Sequence, residues 1–451
     1  MAIFSSLSSF FQRHKKKILI TTGITISLYY TINEFIIKKF QNYQNQLRQE
    51  LIFKQQIKQR FIQTQQDCYY TILALLPVLT GPIIDYLPIE LITQALRLKK
   101  NNTDKLVGTG DNSLTSDNLN LLEQNDGESK LSIYMNKSKI ELWNLLKIKT
   151  ITRVLTLMYG VSGLFLITKL QLNILARRAY LESAILMAGV KTNVDDINPH
   201  ENYIVEQSYL SLSWWLLNKG WINLSSIIEA LVNKKFEQIN PKTELYVQEF
   251  EFILQDIINE INTNNKEFIL ANIFPVNYPD LLETMFNTNP DLMHYLDTPD
   301  SNLLKLVNET NSIILDNNLY LFELLNKLIL TNLSTLSSNL NGEAPGNSLL
   351  LSGDLQDLQA SQRFDKPYKL ASLLAQLSVQ NGIMMDNNNI KSQPETQEED
   401  LQGFIDKLNN VGTFPREEEQ HGEFTGNIYI NQMNELQELD DFSASIYSNF
   451  E

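Results

Sequence analysis

The stretch KIELWNLLKIKTITRVL, residues 139–155, decides the fold class of this chain. Its apolar residues recur at helical spacing and, at about 100° per residue, occupy two sides of a helix. One side holds Ile140, Ile148, Ile151 and Leu155, and the other holds Leu142, Trp143 and Leu146, next to Lys139. Such a helix is either buried all round, or packs one side on a core and offers the other as a groove wall for a partner helix. Periodicity alone leaves both interpretations open.

The same helical spacing continues along the chain, whereas sustained alternation, strand-forming runs and Asn-Gly hairpin signals are nearly absent. The pattern therefore predicts an all-α protein. A long helix from Lys38 to Leu76 is expected to end at Pro77. Further helices are predicted at 139–158, 161–188, 203–217, 222–238, 243–263, 279–287, 302–340 and near 367–381.

A membrane anchor is predicted close to the N-terminus. Basic residues from Arg13 to Lys17 precede an apolar run at 18–37 that is interrupted by Glu34 and followed by a pair of lysines. Twenty residues span roughly 30 Å as a helix, which matches the thickness of a hydrocarbon core. Because both flanks are basic and no small-residue cleavage site follows, an uncleaved anchor is favoured over a signal peptide or a buried helix.

A second uncharged run, Val154–Thr168, has fifteen residues. That length suits a buried core helix better than a second membrane span. Within the run, Gly160 and Gly163 form a small-residue pair that is typical of close helix packing. The chain is therefore expected to cross the membrane once.

Charge is distributed unevenly along the 451 residues. The net charge is −15, yet residues 1–60 hold ten Lys or Arg against two Glu, a local charge of +8 that leaves −23 for the remainder. A basic end on an acidic body argues against a general nucleic-acid binder and is typical of a chain that meets a membrane at one end. The single cysteine, Cys68, excludes an internal disulfide and indicates a reducing compartment.

Composition divides the chain into four parts. A short basic tail at 1–17 and the anchor at 18–37 precede a helical domain at 38–382. An insertion at about 101–136, rich in Asn, Asp, Ser and Gly, is predicted to be exposed and disordered. Residues 383–451 form an acidic tail that is predicted to be partly disordered.

No residue pattern indicates catalysis, a metal or a cofactor. The four histidines, His14, His200, His294 and His421, are widely separated, which argues against a zinc site. The chain lacks the glycine-rich loops that bind phosphates and the G-x-S-x-G elbow of hydrolases. Cys68 has no adjacent His or basic residue in the sequence, so it is expected to be a small buried hydrophobe and not a catalytic thiolate.

Four motifs carry a family resemblance. They are Arg13-His-Lys-Lys-Lys17 before the anchor, Thr71-Ile-Leu-Ala-Leu-Leu-Pro77, Lys139–Lys147 with Trp143, and Gln171-Leu-Asn-Ile174. In order and spacing they resemble the peroxin-three family, the membrane-anchored docking factors of peroxisome biogenesis. The resemblance covers roughly the first 180 residues apart from the insertion.

The resemblance implies a non-enzymatic, single-span peroxisomal membrane protein, present in the endoplasmic reticulum during biogenesis. Its short N-terminus would lie in the matrix and an elongated, twisted helical bundle in the cytosol. That domain would dock peroxin-nineteen, the soluble carrier of newly made membrane proteins, by accepting an amphipathic helix of the carrier in an apolar groove. By resemblance Trp143 and Leu146 line this groove and Lys139 lies beside it, and Leu142 shares their face. No cofactor is implied.

Two other classes of protein remain open. Fungal members of the family also resemble adaptors that tether inheritance and selective-autophagy factors, in which case partners would bind the acidic tail or the insertion. A membrane-bound enzyme would need convergent titratable groups in a pocket. An exposed Trp143 in an apolar groove would favour docking, whereas a buried Trp143 would favour the tether.

Overall fold

The computed structural model describes residues 38–104, 131–187, 199–298, 301–316, 318–341, 367–386 and 427–449. The predicted basic tail and anchor at 1–37 lie outside the described residues, as do 105–130 of the predicted insertion and 387–426 of the predicted acidic tail. Contacts divide the chain into two compact units, Met1–Thr64 and Gln65–Glu451. The core described below belongs to the second unit.

The described residues are almost entirely helical, which confirms the predicted all-α class. The α-helices are α1 Lys38–Tyr86, α2 Ile89–Asp104, α3 Lys139–Met187, α4 Pro199–Leu210, α5 Trp221–Phe236, α6 Val247–Asn264, α7 Lys266–Ile273, α8 Tyr278–Thr288, α9 His294–Asp297, α10 Asn302–Asp316, α11 Asn318–Asn341, α12 Leu370–Met385, α13 Ile428–Asn434 and α14 Gln437–Tyr447. Ser211–Ser213 and Pro290–Leu292 form 3-10 turns, and Leu216–Gly220 is a π-helical turn that leads into α5. Two short strands, β1 Glu244–Leu245 and β2 Tyr368–Lys369, pair antiparallel, with Glu244 opposite Lys369.

Helix α3 is the centre of the second unit. Every residue from Thr150 to Gln171 is buried, and the helix packs against α2, α5, α11, α12 and α14. The run Val154–Thr168 is therefore a core helix, as predicted from its length. A helix that is apolar all round is typical of such a position.

Two described helical segments, Leu51–Tyr86 and Lys139–Ile185, are long and apolar enough to cross a membrane by composition alone. The most apolar stretch of the second segment is entirely buried inside the protein, and that of the first segment is 39% buried. In the first segment, Ile72, Leu73 and Leu76 belong to the main core. Packing within the protein thus accounts for the apolar character of α3 and for part of that of α1.

Two polar side chains of α3 form hydrogen bonds to helices that are distant in sequence. The guanidinium of buried Arg153 donates from Nη1 to both carboxylate oxygens of Glu90, at 2.8 and 2.9 Å, which joins α3 to α2. Tyr159 donates from its hydroxyl to Oδ1 of Asn262 at 2.7 Å, which joins α3 to α6. Because buried polar groups are costly unless hydrogen-bonded, these pairs select one arrangement of the helices.

Helix α1 continues through Pro77 and Pro82, so the predicted helix end at Pro77 is wrong. A proline inside a helix removes a backbone hydrogen bond and costs about 3 kcal/mol or more. Leu76, Leu79 and Ile83 in this part of the helix are fully buried. Burial of each such side chain stabilises the fold by about 1.5–3 kcal/mol, so packing offsets the local cost.

Helix α3 is unbroken, whereas the sequence predicts two helices at 139–158 and 161–188. A side-chain carbon at Gly160 would lie 3.3 Å from Leu79 of α1, and one at Gly163 would lie 3.0 Å from Ile273 of α7. The two glycines therefore let neighbouring helices approach closely and do not end the helix. The predicted role of this pair in helix packing is confirmed.

The ends of several described helices differ from the predicted domain boundaries. Helix α2 extends to Asp104 and residues 131–135 are helical, so the described structure enters both ends of the predicted insertion at about 101–136. Helix α12 ends at Met385, beyond the predicted boundary at 382.

Within the predicted acidic tail, α13 and α14 place apolar side chains in the main core. These side chains are Tyr429, Ile430, Met433, Leu439, Phe442 and Ile446.

The packing of α14 has a simple physical reason. Leu439, Phe442, Ser443 and Ile446 recur at helical spacing and form one buried stripe, while the acidic residues of its first turn face outward. Asp440, for example, has a side chain that is 57% exposed. Glu438 and Asp440 thus flank the apolar stripe, and Oδ1 of Asp440 lies 4.0 Å from Nζ of buried Lys169 in α3. Partial burial raises the pKa of the Asp440 carboxyl, and the charge of Lys169 opposes this shift.

Candidate partner-binding site

The start of α3 is fixed by a reciprocal cap. The backbone N–H of Ser138 donates to Oε2 of Glu141 at 2.8 Å, and the backbone N–H of Glu141 donates to Oγ of Ser138 at 3.2 Å. This is a capping box, which satisfies two backbone donors that a helix N-terminus leaves without partners. The hydrogen bonds from Ser138 hold the pKa of Glu141 below its usual range. The cap sets where the predicted partner-binding residues begin.

Leu142 and Leu146 lie in a small apolar cluster that is separate from the main core. Leu142 is fully buried and Leu146 is 7% exposed. The other buried members come from α2 and are Ile89, Ile92, Ala95 and Leu96. Leu131, Tyr134, Met135, Trp143 and Leu145 pack against this cluster while partly exposed. We call these eleven residues the α2–α3 cluster.

Trp143 is half-buried on the α2–α3 cluster. Lys139, four residues earlier and hence on the same side of the helix, is exposed. Two of the four predicted partner-binding residues are therefore accessible, and the two leucines are buried in the α2–α3 cluster. Trp143 is neither fully exposed, as expected for docking, nor fully buried, as expected for the tether.

The opposite side of α3 is divided between core and solvent. Ile148, Ile151 and Leu155 are buried in the main core, as the two-sided pattern predicts. Ile140 is 76% exposed, although it shares their predicted face. The reason is its position, because the main-core members of α3 begin at Ile148, two turns beyond Ile140.

Lys147 is a buried cation that sequence analysis did not single out. Its side chain is 3% exposed, and Nζ donates to the carbonyl oxygens of Phe236 and Ile239 at 2.6 and 2.8 Å. Burial lowers the pKa of this amine. In the sequence, Lys147 is only a lysine within an apolar helical run. That pattern does not show whether the ammonium group is buried as a helix cap or exposed to solvent.

A mainly polar cleft lies next to the start of α3 and has no catalytic arrangement among its described lining residues. It has a volume of about 390 Å³ and is lined by Asn144, Lys147, Ile148, Asn233, Lys234 and Glu237. The Nζ of Lys147 is already committed to two carbonyl oxygens, so it is not available as an acid or base. Among the described residues, His, Cys, Asp and Glu form no group of three that could hold a metal.

Cys68 is fully buried, which matches its prediction as a small core hydrophobe. Burial raises the pKa of its thiol to about 12, and the neighbouring charge of Lys169 opposes this only in part. A catalytic thiolate requires the opposite shift. Cys68 is therefore an inert core residue at neutral pH.

Comparison with known proteins extends the family resemblance over the whole chain. The Peroxin-3 family pattern matches residues 9–449. A relative from Debaryomyces hansenii named Peroxisomal biogenesis factor 3 is 50% identical over 458 residues, which cover 100% of both chains. A Komagataella pastoris relative named Peroxisomal membrane protein PEX3 is 33% identical and covers 98% of both chains, and a Bos taurus Peroxisomal biogenesis factor 3 is 26% identical over 56% of this chain and 57% of its own.

The match thus reaches well past the first 180 residues that carry the sequence motifs, and it includes the C-terminal helices α13 and α14. The chain belongs to the Peroxin-3 family, a family of non-enzymatic biogenesis factors.

Proposed function

We propose that this chain is a membrane-anchored docking receptor of peroxisome biogenesis that binds a soluble carrier resembling peroxin-nineteen. Residues 18–37 would anchor it in the peroxisomal membrane, and the helical body would face the cytosol. The carrier would present an amphipathic helix to the α2–α3 cluster. Family membership over nearly the whole chain supports this function, as does the name of the Komagataella pastoris relative, a peroxisomal membrane protein.

One observation carries the location of the site. Trp143 is a large aromatic residue that lies half-buried on an apolar cluster separate from the main core. Aromatic anchors of this kind dominate the binding energy of many protein interfaces. A partner helix laid over Trp143 would bury the rest of its ring, and the main core would not need to rearrange.

The four predicted residues take different roles in this proposal. Trp143 is the direct anchor, and exposed Lys139 borders the contact. Leu142 has no exposed surface, so it would act from beneath by holding the turn of α3 that carries Trp143. Leu146, which is almost fully buried, would support Trp143 from the next turn of the same face.

The test compares Trp143→Ala with Phe252→Ala in the full chain embedded in lipid nanodiscs. We expect Trp143→Ala to weaken carrier binding, measured by titration calorimetry, by about 2 kcal/mol or more, a loss of roughly thirtyfold. Phe252→Ala is the matched control, because Phe252 is an aromatic residue that is 71% exposed on α6, outside the α2–α3 cluster. It should leave binding unchanged.

Thermal unfolding of the same variants separates binding from folding. Trp143→Ala should remain folded, because a half-exposed ring leaves a smaller cavity than a core residue. Leu142→Ala should instead lower the free energy of unfolding by about 2–5 kcal/mol, as loss of a fully buried leucine does. A folded Trp143→Ala protein that binds the carrier normally would refute the site.

A further inference from the structure

The first part of α1, residues 38–64, exposes large apolar side chains. It belongs to the first compact unit. Tyr43 is 60% exposed, Leu47 42% and Leu51 66%. Exposed apolar residues are ordinary when scattered singly, but a contiguous row indicates a binding surface. The spacing of these three residues shows whether they are scattered or form a row.

The three residues follow each other at intervals of four. At about 100° per residue, each step of four turns by about 40°, so all three lie within an arc of about 80°. Ile62, which is 47% exposed, falls about 20° beyond Leu51 on the same side of the helix. The row is therefore one stripe, which we call the α1 stripe: Tyr43, Leu47, Leu51 and Ile62. Exposed Ile52 and Phe53 lie outside this arc, about 80° beyond Ile62 and about 80° before Tyr43, and are not part of the stripe.

Charge identifies what the α1 stripe contacts. Residues 38–64 contain six Lys or Arg and one Glu, a net charge of +5 in a chain whose net charge is −15. Lys54 and Lys58, by the same geometry, lie within the arc of the stripe and are exposed. Their long apolar stems can lie along an apolar phase while the ammonium groups reach outward to phosphates.

A second copy of the same helix fits this surface poorly, since it would bring +5 against +5. An anionic lipid surface supplies both features that the helix needs, namely an apolar boundary for the stripe and phosphates for the cations. We propose that residues 38–64 lie on an anionic membrane surface as an interfacial helix, with the α1 stripe turned toward the acyl chains. This goes beyond carrier docking and does not depend on it.

The experiment measures the depth of two opposite helix positions in the full chain. In a Cys68→Ala background, Leu47→Cys and Gln56→Cys are each labelled with a nitroxide and reconstituted in nanodiscs. Gln56 is exposed and lies nine residues on, hence about 180° away from Leu47. Collisions with oxygen, which concentrates in lipid, are compared with collisions with a neutral nickel chelate, which stays in water.

In nanodiscs that contain phosphatidylserine, the ratio of oxygen to nickel collisions should be several-fold higher at Leu47 than at Gln56. The contrast should shrink in phosphatidylcholine alone. It should also shrink when Arg48→Gln, Lys54→Gln and Lys58→Gln are combined, because three cations together contribute on the order of a hundredfold in partitioning.

Three results would overturn the proposal. Equal collision ratios at the two positions with phosphatidylserine would mean that the stripe does not face lipid. A contrast that is the same in both lipids would remove the role of anionic charge. Spin–spin broadening at Leu47 that vanishes on dilution of the protein in lipid would identify a second copy as the occupant. Carrier binding to the same nanodiscs, measured separately, keeps any of these results distinct from a failure of docking.

Discussion

The ammonium group of Lys147, in the third turn of α3, donates a hydrogen bond of 2.6 Å to the carbonyl oxygen of Phe236, the last residue of α5. A second hydrogen bond, of 2.8 Å, reaches the carbonyl oxygen of Ile239. The last carbonyls of a helix lack partners within the helix and carry its negative dipole end. Lys147 therefore caps α5 from a neighbouring helix and fixes the position of α5 against α3.

Replacement of Lys147 by Met retains the apolar stem and removes both hydrogen bonds. We expect Lys147→Met to lower the free energy of unfolding by about 1–3 kcal/mol, because the two carbonyl oxygens lose a charged donor. Lys149→Met is the control, since Lys149 forms a partly exposed ion pair with Glu229 at 2.7 Å and pairs of that kind contribute about 1 kcal/mol or less. Urea unfolding measures both. Equal losses would show that the carbonyl contacts of Lys147 contribute nothing specific.

Gly220 is required by close backbone packing. A side-chain carbon at this position would overlap the carbonyl oxygen of Asn272, in α7. Because a backbone atom cannot rotate away, Gly220→Ala should cost more than about 3 kcal/mol, at or above the upper range for overpacked sites. Gly382→Ala is the matched control, since nothing lies within 4 Å of the added carbon.

At Gly382, a helical position in α12, alanine should be neutral or should stabilise by about 0.5–1 kcal/mol. Thermal unfolding of both variants provides the comparison. A Gly220→Ala protein that melts with the parent would contradict the predicted overlap with Asn272.

The buried thiol of Cys68 makes stability depend on alkaline pH. Its pKa in the folded protein is about 12, against an ordinary value of 9.0, because burial disfavours the thiolate. The folded state therefore binds the proton more tightly than the unfolded state. The contribution is fully present below pH 9.0 and is lost as pH rises toward about 12, by up to about 1.4 kcal/mol per pH unit.

Comparison of the parent with Cys68→Ala isolates this contribution, because other groups that titrate at alkaline pH are common to both proteins. The difference in their free energies of unfolding should be constant below pH 9.0 and should shift in favour of Cys68→Ala above it. Urea titrations at stepped pH supply the values. A difference that stays constant through pH 11 would mean that the thiol is accessible to solvent.

Asn427 attaches the C-terminal helices to α12. Its Oδ1 accepts hydrogen bonds from the backbone N–H groups of Tyr429 and Ile430 at 3.1 and 3.4 Å, which caps α13. Its Nδ2 donates to the carbonyl oxygens of Met384 and Asp386 at 3.1 and 3.0 Å. Loss of both functions in Asn427→Ala should cost about 1–3 kcal/mol.

Asn427→Ser separates the two functions, because serine is a good N-cap but cannot reach the carbonyls of α12. It should cost less than Asn427→Ala. Hydrogen exchange of α13 and α14 should rise in both variants if these helices are held through Asn427. Unchanged exchange in the alanine variant would show that apolar packing alone holds them.

The sequence determined the helical class, the core position of Val154–Thr168 and the inert character of Cys68. Each of these rests on local information, namely apolar periodicity, run length or the lack of a neighbouring base. The N-cap signal of Asn427 before an apolar pattern was also present in the sequence, and it could have indicated α13 within the acidic tail.

Only the tertiary structure decided how the start of α3 is covered. Leu142 is buried because Ile89 and Ile92, about fifty residues earlier, pack on it, whereas Ile140 in the same turn is 76% exposed. Periodicity places residues on faces of a helix, but burial depends on partners that are distant in sequence. For the same reason the continuation of α1 through Pro77 and the cap provided by Lys147 could not be inferred. The partner-binding set of Lys139, Leu142, Trp143 and Leu146 stays a prediction, of which two residues are accessible and two are buried.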